Sequence, residues 1–159
     1  MRVLAIDPGY DRLGIAVLEK LVRKETVLFS SCVTTNKTHA QEKRLWYIGN
    51  EIGKIIKEWG PKMFAIESLF LFSNQKTVMR VAEARGVCLY EAARAGLAVY
   101  EYTPLQIKIA VTGYGRSDKR QVTEMVKKLV KLDERKKLDD EYDAIAVGLT
   151  CLASNKWNR

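Results

Sequence analysis

Acids stand at three separated places in this sequence where burial makes them costly. Asp7 ends the apolar run Val3-Leu4-Ala5-Ile6 and drops straight into Pro8-Gly9. Glu67 ends a second run, Met63-Phe64-Ala65-Ile66, and the acidic stretch Asp139-Asp140-Glu141-Tyr142-Asp143 opens a later helical segment. A carboxylate at the end of a buried strand must be compensated by a cation or by donors. Brought together, these acids form an oxygen-rich pocket suited to Mg²⁺ or Mn²⁺. Two such ions ~4 Å apart activate a water and stabilise the leaving oxygen of an in-line phosphodiester displacement.

The helical acids differ among themselves. At ~100° per residue, Asp140 and Asp143 lie ~60° apart and share a face. That face runs on through Ile145, Ala146 and Leu149, so it turns inward and marks Asp143 as a ligand. Asp139 and Glu141 read instead as first-turn acids favoured by the helix dipole. Glu67, taken alone, is equally a helix cap or the partner of a lysine.

Basic residues supply a second pattern. Lys108 and Lys119 flank the glycine-rich loop Gly113-Tyr114-Gly115-Arg116-Ser117, which carries Arg116. Such a loop leading into a helix offers N–H groups and lysines to a phosphate backbone, with little discrimination between bases. Lys127, Lys128, Lys136 and Lys137 read as solvated surface, and Arg85-Gly86 as a structural or interface arginine. Past Glu67, Phe70 and Phe72 offer an aromatic ring to an unpaired base, or a core or dimer contact.

The elements that must position these groups follow from periodicity. Strands are expected from Arg2 to Ile6, Leu13 to Leu18 and Thr26 to Thr34. An amphipathic helix through Leu45, Ile48, Ile52, Ile55 and Trp59 stops at Gly60-Pro61. The strand Met63 to Ile66 is apolar throughout, as expected of one covered on both faces. A helix from Thr77 to Ala95, a strand Ala98 to Tyr102 and a short helix opening at Pro104 come next. Ser117 or Asp118 caps a helix from Lys119 to Leu132, and the final helix runs from Asp140 to Ser154. Three hairpin-linked strands followed by β-α alternation imply an α/β mixed sheet with helices on both faces. The order is similar to that of ribonuclease H-like proteins, whose first of five strands is central.

Composition agrees with one ordinary domain spanning residues 1–159. Its 27 Lys and Arg against 19 Asp and Glu give a formal charge of +8, which favours a polyanionic partner, nucleic acid first. No apolar stretch approaches the ~18 residues of a spanning helix, and the N-terminus has no signal-peptide pattern. Cys32, Cys88 and Cys151 are scattered and read as buried free thiols in a reducing compartment. A single His39 in a polar stretch leaves no basis for a histidine zinc site or a Ser-His-Asp triad. Catalysis then rests on carboxylates and lysines.

Taken in order, several segments resemble the RuvC family of Holliday junction resolvases over nearly the whole chain. They are Ile6-Asp7-Pro8-Gly9, Phe64-Ala65-Ile66-Glu67 with Phe70 and Asn74, and Ala84-Arg85-Gly86. Further on come Gln106-Ile107-Lys108, then Gly115-Arg116-Ser117-Asp118-Lys119-Arg120-Gln121-Val122, then Asp140-Glu141-Tyr142-Asp143-Ala144-Ile145-Ala146. The resemblance implies that Asp7, Glu67, Asp140 and Asp143 are the metal-binding carboxylates. It makes Lys108 and Lys119 the residues of phosphate binding and catalysis, and Phe70 the aromatic at the junction centre. It also implies a cytoplasmic homodimer that nicks two opposed strands of a four-way DNA junction and works with the RuvA–RuvB branch-migration complex. Val78, Val81, Ala82, Cys88 and Leu89 are the expected dimer face, unless the core takes them. From the residues alone two other readings stay open: a nuclease of this fold acting on another structured DNA or RNA, and a non-catalytic nucleic-acid-binding module.

Overall fold

In the computed structural model, residues 1–22, 24–69 and 75–155 are described. Phe70, Phe72 and Asn74 lie outside them, so the expected aromatic contact has no structural account here.

Ten elements follow the anticipated order: β1 (Arg2–Asp7), β2 (Arg12–Leu21), β3 (Lys24–Thr34), α1 (Gln41–Trp59), β4 (Met63–Glu67), α2 (Gln75–Arg94), β5 (Ala98–Tyr102), α3 (Pro104–Thr112), α4 (Lys119–Leu129) and α5 (Asp139–Ser154). They build a five-stranded sheet in the order β3-β2-β1-β4-β5. β1 pairs antiparallel with β2, and β2 with β3, while β1, β4 and β5 run parallel. The first strand is therefore central, as the element order implied.

Strand periodicity sorts the side chains between two cores. Leu4, Ile6, Ile15, Val17, Phe64 and Ile66 face α1 and α2. Val3, Ala5, Ala16, Leu18, Met63 and Ala65 face α3, α4 and α5. Asp7 and Glu67 continue the second set by the same alternation, so both acids leave the sheet on the α5 side.

Two glycines let α5 come that close. A Cβ at Gly148 would lie 2.3 Å from Leu18 Cδ1, and one at Gly14 would lie 1.9 Å from the Asp140 carbonyl oxygen and 3.2 Å from Asp7 Cβ. Helix against sheet at Gly14 is thus also what carries Asp140 beside Asp7.

Local chemistry decides the ends. α1 stops at Gly60, left-handed at φ 54°. Asp118 rather than Ser117 caps α4: its carboxylate accepts from the Gln121 N–H at 2.8 Å, and Gln121 accepts from the Asp118 N–H at 2.9 Å. Ser117 is buried and its hydroxyl meets Thr112 Oγ1 at 2.7 Å. α4 ends at Leu129, short of the expected Leu132, because Val130 turns extended and buries its side chain.

The face of α2 needs correction. Ala84, Cys88 and Ala92 are fully buried in the core, so Cys88 does not belong to an outward surface. Val78, Val81 and Leu89 are half-buried, whereas Met79, Ala82, Gly86 and Tyr90 form the exposed stripe. The thiols are free, with Cys88 and Cys151 buried and Cys32 half-exposed. Among the described residues no helix is long and apolar enough to cross a membrane.

Candidate active site

The sheet's edge at the ends of β1 and β4 meets the first turn of α5, and there Asp7, Glu67, Asp140 and Asp143 come within electrostatic reach of one another. Burial, followed by the charges of Asp143, Glu67 and Asp140, pushes the Asp7 carboxyl up to about 8, against a partial pull downward from Lys119. Burial and Asp143 raise Glu67 to about 7, opposed by Lys119 and Lys108. Asp143 is also raised, first by burial, although the hydrogen bond from Lys119 works the other way. An acid cluster of this kind either takes up protons or takes up cations.

Basic side chains reach two of its members. Lys119 Nζ lies 2.8 Å from Asp143 Oδ2 and 3.8 Å from Asp139 Oδ2. Partial burial works to lower the Lys119 ammonium, but the contact with Asp143 outweighs it and leaves it raised and charged. Arg12 Nε lies 3.3 Å from Asp140 Oδ2. A cleft lined by Glu67, Lys108, Lys119 and Asp143 opens over Ile107, Val122 and Ala146. Lys108 comes from α3, held by a Thr103–Gln106 capping box, and Lys119 is the first residue of α4. The glycine-rich loop between them thus sets two lysines on one wall. Arg116 is exposed in that loop and is not part of the cleft lining.

Four carboxylates with no nearby imidazole are an all-oxygen donor set, which fits hard divalent cations such as Mg²⁺ or Mn²⁺. Among the described residues no three of these acids lie close enough together to hold an ion. Lys119 and Arg12 pair with the two helix acids, Asp143 and Asp140.

Arg85, expected as a structural or interface arginine, has a structural role: it donates to the Glu67 carbonyl at 3.3 Å and forms an ion pair with Glu101, tying the end of β4 to α2. Another supporting residue, Arg44, escaped the sequence. Arg44 is buried, donates to Thr35 Oγ1 at 2.9 Å and the Tyr10 carbonyl at 3.3 Å, and stacks 3.5 Å over the Tyr10 ring. It fixes the turn that follows Asp7. An arginine in an amphipathic helix gives no sign of this, because its partners come from the β1–β2 and β3–α1 connections.

Glu141 is a first-turn acid of α5, as expected, but it is 1 % exposed and held by specific donors. It accepts from Arg135 Nη1 at 3.0 Å and Nη2 at 2.7 Å, from Ser30 Oγ at 2.8 Å and from the Leu138 N–H at 3.1 Å. Burial alone would raise its carboxyl, but these donors hold it below the usual range. Lys137 buries its side chain and reaches Asp133 Oδ1 at 2.6 Å, whereas it was expected in solvent. Asp139, by contrast, is largely exposed, as expected of a first-turn acid.

Residues 3–151 match the family model described as crossover junction endodeoxyribonuclease RuvC. A protein of that description from Thermosipho melanesiensis is 47% identical over 153 residues, covering 96% of this chain and 97% of its own. One from Finegoldia magna is 46% identical over 157 residues, covering 99% and 96%. Among solved structures, Thermus thermophilus RuvC in complex with Holliday junction substrate superposes with a TM-score of 0.90 at 30% identity, covering 97% of this chain and 94% of that one. The yeast mitochondrial Holliday junction resolvase superposes with a TM-score of 0.67 at 12% identity, a likeness of fold.

Proposed function

This chain belongs to the RuvC family of crossover junction endodeoxyribonucleases, and from that premise we propose that it resolves four-way DNA junctions by metal-dependent nicking of two opposed strands. The single observation that carries the reading at the site is the meeting of Asp7, Glu67, Asp140 and Asp143 beside Lys108 and Lys119. Acids alone would repel a phosphate backbone, and lysines alone would bind it without cutting.

In this reading the four carboxylates hold two Mg²⁺ ions, with Mn²⁺ able to replace them. Bound divalent ions supply an activated water and charge neutralisation at the leaving oxygen. Lys119 Nζ, charged and held 2.8 Å from Asp143, stabilises negative charge on the scissile phosphate from the opposite wall. Lys108 fixes the neighbouring backbone phosphate, and Arg116 a further one from the exposed loop. Ile107, Val122 and Ala146 exclude water behind the cleft, which strengthens each of these charge contacts. Phe70, outside the described residues, keeps the role that the family resemblance gives it, as the aromatic of the junction centre.

The chain acts as one domain in a cytoplasmic homodimer formed through the exposed stripe of α2. A two-fold junction is matched by a two-fold protein with two equivalent sites. The RuvA–RuvB branch-migration complex delivers its substrate.

The test compares a labelled four-way junction with duplex of the same sequence, with Mg²⁺ and with chelator. Paired, metal-dependent nicks in the junction alone are expected. Equal cutting of duplex or RNA would make it a general nuclease, and tight binding without a cut would make it a binding module.

A further inference from the structure

Arg12 is a basic residue beside the site's acids to which the proposed function gives no role. Strand alternation puts Arg12, Gly14, Ala16 and Leu18 on the same side of β2, and Ala16 and Leu18 face α5. Arg12 thus stands where the first turn of α5 arrives, with its Nε 3.3 Å from Asp140 Oδ2. Its partner is only 16 % exposed in its side chain, whereas Arg12 is 53 % exposed. The acid is therefore held in the site while the guanidinium is free to swing outward. Across β3, Cys32 sits opposite Gly14 and its thiol lies 3.9 Å from the same Oδ2.

We propose that Arg12 is a displaceable counter-cation of Asp140 that yields this carboxylate to a divalent ion and then binds a backbone phosphate of the cut strand. The inference rests on Asp140 being a metal ligand, as proposed above. Half-exposed ion pairs are weak, so a divalent ion displaces Arg12 at little cost. The released guanidinium is a planar, permanently charged fork, a good match for phosphate oxygens. Its stem stays anchored in β2, two residues from Gly14, so the guanidinium is delivered next to Asp140. One side chain thereby serves two anions in turn, the acid first and the substrate second.

The test measures metal and DNA binding separately. Mn²⁺ binding to the protein alone is followed by titration calorimetry in the wild type, Arg12→Gln and Arg12→Lys. Junction affinity of the same three proteins is followed with Ca²⁺ in place of Mn²⁺, and again in chelator, across a salt series. Arg12→Gln is expected to bind Mn²⁺ about 2- to 5-fold more tightly, the range that removal of an exposed pair allows. It is expected to bind the junction several-fold more weakly and to flatten the salt slope by about one ion. Arg12→Lys should lie between the two. Unchanged Mn²⁺ affinity with unchanged junction affinity would overturn the proposal. Weaker Mn²⁺ binding in Arg12→Gln would overturn it too, by making Arg12 a support of the site rather than a competitor. If the wild type bound no Mn²⁺ at all, the underlying metal reading would fail first.

Discussion

At the scale of single residues, Asp7 sets the behaviour of the site. Burial and the neighbouring acids push its carboxyl up to about 8 in the folded chain, from an ordinary value of 3.8 when exposed. Between those values the folded state binds the extra proton, so stability falls as pH rises from about 4 to about 8. Asp7→Asn removes this penalty. In chelator at pH 8 the variant is expected to melt a few degrees above the wild type, with the difference vanishing near pH 4. Mg²⁺ is expected to raise the wild-type melting temperature at pH 8 and to leave the variant nearly unmoved. The same variant should lose cleavage by ~10³-fold or more while keeping junction binding, as gel-based cleavage and binding assays would report. Arg135→Ala addresses a different acid. It strands the buried Glu141 carboxylate and is expected to cost ~3 kcal/mol in denaturant unfolding. Because the Glu141 carboxyl is held low in the folded chain, that contribution is present at neutral pH and fades as pH falls through the acid range. Asp7 and Glu67 were legible in the sequence because each closes an uninterrupted apolar strand. Glu141 was not, since its burial depends on Ser30 and Arg135, one a distant strand residue and the other in an irregular connection.

At the scale of elements, the site is made by seating α5 on β1 and β2. Gly14→Ala puts a Cβ into the Asp140 carbonyl oxygen. The helix must lift or tilt, which is expected to cost ~1–3 kcal/mol and to separate Asp140 from Asp7. Thermal melts would give the first effect. The second should appear as weakened Mn²⁺ binding in calorimetry, beyond what the lost stability explains. The periodicities of 2 and 3.6 made the element order and the central place of β1 readable, and the Asp118–Gln121 box was readable from its spacing. The helix–sheet approach was not. A glycine in a strand looks the same whether it bends the chain or admits a neighbour, and only the register Asp7↔Gly14 tells which. Arg12 stayed hidden for the same reason, since its partner lies 128 residues further along the chain.

At the scale of the whole molecule, the proposed meeting with a two-fold substrate rests on the excess positive charge and on the exposed stripe of α2. Tyr90 is 64 % exposed and Met79 67 %, beside Ala82 and Gly86, which leave room for a close partner. Tyr90→Asp is expected to shift sedimentation toward a monomer and to turn paired nicks into scattered single ones, with the melting temperature little changed. The gathering of the acids from distant elements has a further meaning for synthesis. A chain made from the N-terminus carries Asp7 and Glu67 early, on strands that already pair with each other. Asp140 and Asp143 arrive only with α5, the last element of the order. On the proposed reading, the nascent protein holds only half of its metal-binding acids until that helix settles against Gly14 and Leu18. On that reading the site is completed by the last helix of the order, so metal binding and the finished fold arrive together.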